Sequence, residues 1–488
     1  MPIANFKFGH LDHFHACCSA HSAIRNPQSA IRERTSQASV LIGLLWCLAL
    51  LAIVVIGVLH TSRIGLMLGK NHADRIQAHY LALAGIEKAK ALLYQDARER
   101  SRSARNHGGE LYDSAENFRD VALGRGRFSV LRRARTDEGG GIAFGVSDEE
   151  SRLNVNVASI DEFAKIDGMT PDIAAAIVDW RDPDNEVTPG GAEAEYYVAL
   201  QPPYLPRNGP LQTIRELLMV RGISTQLLLG SDLQQNGLLD AEQENGPGAV
   251  PDASDLGWAN LFTVDSSTAN VNAAGEDRVN IQTADQQALG SVRGITPNIA
   301  SAIIAYRAKN QQQLQSVADL LDVTAPQNQN QNAPTGNNQA QGAQGQSGQD
   351  QGPNASGPKV ISPELLMDIA DDLTAQNGQD LSGLVNINTA SLEVLMCLPG
   401  LNRQLAQEII RYRQSNGAFP NIAHLLKVSG FNADLFKAVG PRVTARSETY
   451  RIIAEGRVPS SGARERIQEI VHVGISSVTT VSYREGDL

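Results

Sequence analysis

Cysteine is almost missing from this chain of 488 residues, which holds four. Cys17 and Cys18 lie near the start, Cys47 falls inside a long apolar run, and Cys397 alone belongs to the remainder. No intramolecular disulfide can therefore staple the body, and its stability must come from packing. Aromatic residues are scarce as well, at 5% against 42% for all hydrophobic residues, so aliphatic side chains have to build the cores. Positive charge is in deficit. The formal net charge of -11 argues against a protein that mainly coats nucleic acid or anionic lipid, although a local basic patch can sit inside an acidic total. Catalytic signatures are absent too. There is no phosphate-binding glycine loop, no His-Glu-x-x-His and no nucleophile with placed partners. His424 and His472 stand alone, and the chain reads as a non-enzyme.

What is present begins with VLIGLLWCLALLAIVVIGVL, Val40 to Leu59, with no charge inside it. About 20 apolar residues in a helix cover the ~30 Å hydrocarbon core of a bilayer. No comparable run follows, so the expectation is one membrane anchor and one large soluble body. Arg25, Arg32 and Arg34 precede the span while Arg63, Lys70 and Arg75 follow it, which leaves the positive-inside rule little to decide. The short N-terminus is placed in the cytoplasm, because a long acidic body is more readily exported than a short basic leader. Residues 1–38 read as that leader, or as upstream sequence translated in error, with SAIR at Ser22–Arg25 repeated at Ser29–Arg32. His10, His13, His15, Cys17, Cys18 and His21 are zinc-ligand types. No partner set of matching spacing follows them, so the disposable leader is the favoured reading. Beyond Leu59, an apolar stripe continues at helical spacing through Leu66, Ile76, Leu81, Leu83, Ile86, Ala89 and Leu92,. Ile76, Leu83, Ile86 and Leu92 are expected to pack against partner helices.

An internal repeat is the second strong signal. LNVNVASIDEFAKIDGMTPDIAAAIVDWRD starts at Leu153, VNIQTADQQALGSVRGITPNIASAIIAYRAKN at Val279, and VNINTASLEVLMCLPGLNRQLAQEIIRYRQSNGAF at Val385. Each predicts a short strand, a helix, a glycine turn and a second helix ending near Trp180-Arg181, Tyr306-Arg307 or Tyr412-Arg413. Gly168, Gly294 and Gly400 sit where the turn needs positive φ or close helix approach. Thr170, Thr296 and Asn402 are expected N-caps, and Pro171 and Pro297 occupy the first helical position. The unit is a helix–hairpin–helix. A further short helix is expected after each copy, in GPLQTIRELLMVRGIS, LQSVADLLDV and FPNIAHLLKVSGF. Between copies two and three, Thr324 to Gly357 has almost no apolar side chains and reads as a disordered linker.

Helix–hairpin–helix backbones can hold a phosphate while nearby basic groups neutralise it. Copy one is rich in Asp and Glu, which repel phosphate. Copy three, with Gly400, Arg403, Arg411 and Arg413 and with Lys427 and Lys437, is the one plausible binder, and a structural role is favoured over DNA contact. After copy one comes DWRDPDNEVTPGGAEAEYY, Asp179 to Tyr197. Asp182, Asp184, Glu186 and Glu193 offer the oxygen ligands a hard cation such as Ca²⁺ requires, on a loop bent by Pro183, Pro189, Gly190 and Gly191. The competing reading is a solvated acidic loop capped by Arg181, and the spacing is not that of an EF-hand.

Apolar–polar alternation around Gly139–Gly141 predicts antiparallel strands before copy one. TYRIIAEGRV, RIQEIVHVG and TTVSYRE predict three more after copy three,. The chain thus begins a sheet, leaves it for helical modules and returns to finish it. The expected fold class is α+β: a long N-terminal helix, then an antiparallel sheet with a large inserted α-domain of helix–hairpin–helix units. The expected divisions are a leader at 1–38, the N-terminal helix at 39–100 with its span at 40–59, and the first part of the β head at 101–152. Unit one with the acidic loop is assigned 153–240, unit two 241–323, the linker 324–357, unit three 358–445 and the closing strands 446–488.

The anchor, the amphipathic continuation and the interrupted sheet resemble type IV pilins and the pseudopilins of type II secretion. D-W-R-D-x-D with G-A-E and a tyrosine, continued by Tyr204, Asn208–Leu211 and Glu216–Ile223, resembles the K-type minor pseudopilin (general secretion pathway protein K). The resemblance implies cleavage by a prepilin peptidase, best matched at Ala38/Ser39, where alanine replaces the usual glycine and Gly43 the usual glutamate. The K type characteristically lacks that glutamate, as suits a subunit at a filament tip. The resemblance further implies calcium in the inserted α-domain and an inner-membrane anchor with the body in the periplasm. Implied partners are other minor pseudopilins and the secretion platform, in a tip complex that starts pseudopilus assembly for protein export. The alternative is a membrane-tethered DNA receptor of the competence type, contacting phosphate through Gly400, Arg403, Arg411 and Arg413.

Overall fold

In the computed structural model the described residues are 36–104, 109, 111–135, 138, 141–230, 257–310, 314–325 and 358–485. The leader through residue 35, with its histidine–cysteine cluster, and the linker from 326 lie outside them. The chain divides into two compact bodies, Met1–Gly69 and Lys70–Leu488. One helix runs Ser36–Ser103. Ala38 and Ser39 fall in its first turn, and Val40–Leu59 is exposed throughout. Among the described residues it is the one helix long and apolar enough to cross a membrane, as a single-pass anchor requires.

In the second body, seven strands form one antiparallel sheet. Its main path runs Val121–Leu123, Gly126–Arg133, Thr449–Val458, Ala463–Val473, Val478–Glu485. Ile142–Phe144 joins Gly126–Arg133, and Ser147–Asp148 joins Thr449–Val458. The strands that flank the insert pair directly, with Leu131 opposite Ile453, Phe128 opposite Gly456 and Arg127 opposite Arg457. The sheet is closed across its helical insert, as the sequence pattern predicts.

The helix lies on one face of that sheet through Ala78, Ala82, Ile86, Ala89, Leu93 and Ala97, all buried. Small residues on this stripe let backbone approach backbone. At Gly456 a Cβ would collide with the carbonyl of Ala78 and the amide of Ala82, and at Gly126 with Leu81. This corrects the assignment of the stripe to partners. Ile86 is fully buried in the chain's own core, Leu83 and Leu92 are half-buried against it, and Ile76 alone of the four is exposed. The sequence period was right, but the sheet, not a partner, takes that face.

A buried polar seam ties sheet to insert. Glu149 accepts from Thr263 Oγ1 at 2.5 Å and pairs with Arg451 at 2.8 Å. Glu150 accepts from the amides of Ser267 and Thr449 at 3.1 and 3.2 Å. Asp148 accepts from Ser447 Oγ at 2.5 Å, from Asn386 Nδ2 at 3.2 Å and from Thr389 Oγ1. Burial pushes the Glu150 and Asp148 carboxyls up, while Arg451 and Arg152 more than offset burial at Glu149 and hold it below the ordinary value.

The three helical modules share one internal lock. Asn154, Asn280 and Asn386 each accept the amide two residues on, at 2.9, 2.8 and 2.9 Å, which turns strand into helix,. The next polar residue then clasps the backbone of a distant one in both directions: Asn156 with Leu211, Gln282 with Leu314, Asn388 with Phe419. The expected glycines have positive φ, 78° at Gly168, 104° at Gly294 and 71° at Gly400. Thr170, Thr296 and Asn402 cap the second helices.

Module boundaries differ from the sequence reading. Each module is closed by a two-residue parallel ladder: Leu153–Asn154 with Phe262–Thr263, Val279–Asn280 with Leu373–Thr374, Val385–Asn386 with Val443–Thr444. Module one therefore reaches 263, past the assigned 240. Module two ends at 374, so residues 358–374 belong to it and not to unit three. The polar linker is an insertion within module two, whose flanks meet through a Thr324–Lys359 bridge. Modules two and three share one hydrophobic core, while module one has its own.

Candidate cation site and the hairpin surfaces

The helix Pro171–Arg181 begins with capped Thr170 and ends with Asp182 as C-cap. Asp179 and Asp182, three apart, project from one side of its last turn. Glu193 is the N-cap of Ala194–Val198. Asp179, Asp182 and Glu193 each bring a carboxylate oxygen to within 4.8 Å of the other two. Asp179 is fully buried and takes the Thr188 amide at 3.2 Å. The loop is pressed onto it, and a Cβ at Gly191 would overlap Asp179 Oδ2. Arg221 Nη1 fixes that loop through the Gly191 carbonyl at 2.7 Å.

The continuation of the motif builds the walls. Trp180 Nε1 donates to Glu216 at 3.2 Å, the Asn208 amide to the Trp180 carbonyl at 3.0 Å, and Tyr197 and Tyr204 pack their rings about Trp180. Asp182 Oδ1 and both Glu193 oxygens are buried with no hydrogen-bond partner. Burial, then Asp179 and Asp182, push Glu193 up to about 7. Burial, then Asp184 and Asp179, push Asp182 up. Buried carboxylate oxygens without donors are costly, and donorless oxygens facing one another are what a hard cation satisfies. These residues fit such an ion.

Of the four expected ligands, Asp182 and Glu193 are brought together and Asp184 and Glu186 are not. The latter two are exposed, with Asp184 capping the Glu186 amide at 2.8 Å. Asp179 was not among the expected ligands. Its helical spacing to Asp182 was the available signal.

The basic residues of module three have other occupations. Arg413 is buried and donates to the carbonyls of Ile387 and Ala390 at 3.1 and 2.8 Å. Arg307 does the same to Ile281 and Ala284, and Arg181 to Val155 and Ala158. This repeated arginine closes each module, which removes Arg413 from any phosphate site. Arg411 pairs with Glu408, and Lys437 with Asp322. Gly400 and Arg403 remain exposed on the hairpin. Beside them, Lys165 of module one donates to the Leu398 carbonyl at 2.5 Å, and Glu162 pairs with Arg442 at 2.9 Å. The hairpin flank is thus occupied by module one.

Residues 152–230 match the family profile "Type II secretion system (T2SS), protein K", and residues 275–325 and 382–444 match "Helix-hairpin-helix motif". The chain is 29% identical over 221 residues to type II secretion system protein K of Pectobacterium carotovorum subsp. carotovorum, covering 40% of this chain and 61% of that protein. Over 196 residues it is 26% identical to endonuclease/exonuclease/phosphatase family domain-containing protein 1 of Rattus norvegicus, 40% of this chain and 32% of that one. It is 37% identical over 73 residues to ComE operon protein 1 of Bacillus subtilis, 15% and 36% of the two chains. The chain thus spans about a third of the endonuclease/exonuclease/phosphatase family relative and less than two thirds of protein K. A solved GspK-GspI-GspJ complex of enterotoxigenic Escherichia coli matches with TM-score 0.43 and 12% identity, covering 86% of this chain and 99% of that one. Residues 152–230 are thus similar to the protein K domain of the type II secretion system, and the two helix–hairpin–helix matches follow it within the helical insert.

Proposed function

We propose that this chain is a minor pseudopilin of a type II secretion system, anchored once in the inner membrane with its body in the periplasm. Its role there is mechanical, not catalytic. The helix Ser36–Ser103 carries storage in the membrane and packing with other minor pseudopilins, and the wide head confines the subunit to the tip that starts pseudopilus assembly. Prepilin peptidase cleaves between Ala38 and Ser39. The observation that carries this reading is the direct pairing of Gly126–Arg133 with Thr449–Val458 around a protein K domain. A head sewn across an insert of this breadth does not stack into a shaft.

Calcium belongs to the same proposal. Asp179, Asp182 and Glu193 hold it, and the ion supplies the positive charge that fixes the 182–193 loop against module one. Partner packing falls to the helix face away from the sheet, where Ile76 and Tyr80 are 45% and 65% exposed. Co-purification of the full chain with its partner pseudopilins tests this. An Ile76→Asp/Tyr80→Asp variant should lose the partners and keep its melting temperature, and retention of the partners would remove the tip role. Mass spectrometry of the mature N-terminus should find Ser39 first, and an intact leader on a functional protein would contradict the processing step.

A further inference from the structure

Where the closing strands of modules two and three come together, Leu373–Thr374 and Val443–Thr444 line a cavity of about 60 Å³. That is several times the room one water needs. Arg446, two residues past the second of these strands, lies in the wall and is 5% exposed. Its side chain hydrogen-bonds through Nη2 alone, to the carbonyls of Ala269 at 3.0 Å and of Val271. Nε and Nη1 have no hydrogen bond among the described residues. The nearest carboxylates there, Glu448 and Asp371, stand 3.8 and 3.9 Å away. Both are engaged elsewhere: Glu448 accepts the Ala269 amide at 2.6 Å, and Asp371 accepts Arg278 Nη2 at 2.8 Å and the Ala273 amide at 2.7 Å.

Other arginines of the insert are met more closely, Arg442 by Glu162 at 2.9 Å and Arg278 by Asp371 at 2.8 Å. Arg446 is more deeply buried than either and less well paired. Burial, then Arg278, pull its guanidinium down to about 10 against Asp371 and Glu448. It therefore stays charged at neutral pH, with that charge only partly compensated. A buried charge without close partners is costly. Water can take the spare N–H groups but brings no charge. Arg278, half-buried, lines the same cavity, and its Nη1 also has no hydrogen bond among the described residues.

We propose that this cavity binds a small oxyanion, a phosphate or carboxylate group, held between Arg446 and Arg278. The anion ties module two to the segment that runs from module three into the sheet. The site lies wholly within the second body and is independent of the secretion role. Guanidinium N–H groups make paired, near-parallel bonds to two oxygens of such a group, and its negative charge supplies what Asp371 and Glu448 leave uncompensated.

Hydrogen exchange on the full chain in detergent tests this with inorganic phosphate and, separately, acetate, each against chloride at equal ionic strength. Amides of residues 371–376 and 443–446 should exchange about tenfold more slowly at roughly ten times the Kd of the probe. Slowing by phosphate assigns the site to phosphate groups, and slowing by acetate alone assigns it to carboxylates. Gln376, half-buried in the same wall, allows a change that spares the arginines. Gln376→Glu sets a carboxylate of the chain's own beside them; it should weaken probe binding by about tenfold or more and melt no lower without the probe. Arg446→Gln should abolish the slowing, and if that variant does not fold, Gln376→Glu decides alone. Equal exchange in phosphate, acetate and chloride would overturn the proposal, as would slowing confined to other segments or undiminished in Gln376→Glu.

Discussion

Two carboxylate clusters in this molecule, one buried throughout and one with Asp182 half-buried at its edge, are oppositely furnished. Asp148, Glu149 and Glu150 at the seam are met by Ser447, Asn386, Thr263, Arg451 and the amides of Ser267 and Thr449. Asp179 takes the Thr188 amide, Asp182 and Glu193 have only weak backbone contacts from Asp184 and Ala194, and three of the trio's oxygens have no hydrogen-bond partner. Acidic residues therefore do not by themselves mark an ion site. What separates the two is whether the chain supplies its own donors. The seam is complete and joins sheet to modules, whereas the trio lacks its positive charge.

The largest effect is expected at the seam. Glu149→Ala removes the carboxylate 2.8 Å from half-buried Arg451, leaves the more distant Asp265 as its counter-charge, and should cost about 3 kcal/mol in chemical unfolding,. A loss near zero would place the seam with the ornamental surface pairs. At the trio, calcium should raise stability by about 3 kcal/mol at a hundredfold excess over its Kd. Asp179→Asn/Glu193→Gln should abolish that gain and, with chelator, stabilise the protein by relieving repulsion. A calcium response surviving this double change would move the site elsewhere.

The pH dependence should separate the clusters by sign. Glu193 stands up at about 7, above its unfolded value near 4.3. Its contribution is therefore present below about pH 4 and is lost as pH rises through about 7, on the order of 2 kcal/mol without calcium. Glu149 is held down, so its contribution is present above the unfolded carboxylate range and is lost as pH falls through its depressed value. Melting curves of Glu193→Gln and wild type in chelator should converge in acid and separate near neutrality; separation in acid instead would reverse the assignment. The smallest effect sharpens the ligand set: Asp184→Asn and Glu186→Gln should each shift calcium-dependent stability by less than about 0.5 kcal/mol, read by titration calorimetry and melting.

Much of this was legible because it rests on local chemistry. The hairpin glycines, the Thr170, Thr296 and Asn402 caps and the alternating strands each carry their signal within a few residues. The module ends did not, because ladders of two residues such as Val279–Asn280 with Leu373–Thr374 have no periodicity to read. An insertion inside module two hid its second half further. Arg413 was visible as a basic residue, but its neighbours Ile387 and Ala390 are brought to it only by the fold. Ile86 shows the limit of a helical stripe: spacing identifies a buried face and says nothing of whether the cover is the same chain. Asp179 carried a signal in its helical spacing to Asp182, but solvated acidic pairs share that spacing and only its full burial sets it apart.

Ser129 and Glu455 are register partners on strands either side of the whole insert. With the native cysteines replaced, a Ser129→Cys/Glu455→Cys chain should close an intramolecular disulfide under mild oxidation, detected as a mobility shift reversed by reductant. Free thiols persisting in the folded monomer, or bridges forming only between molecules, would mean the two strands belong to separate bodies and the head is not closed across its helical modules.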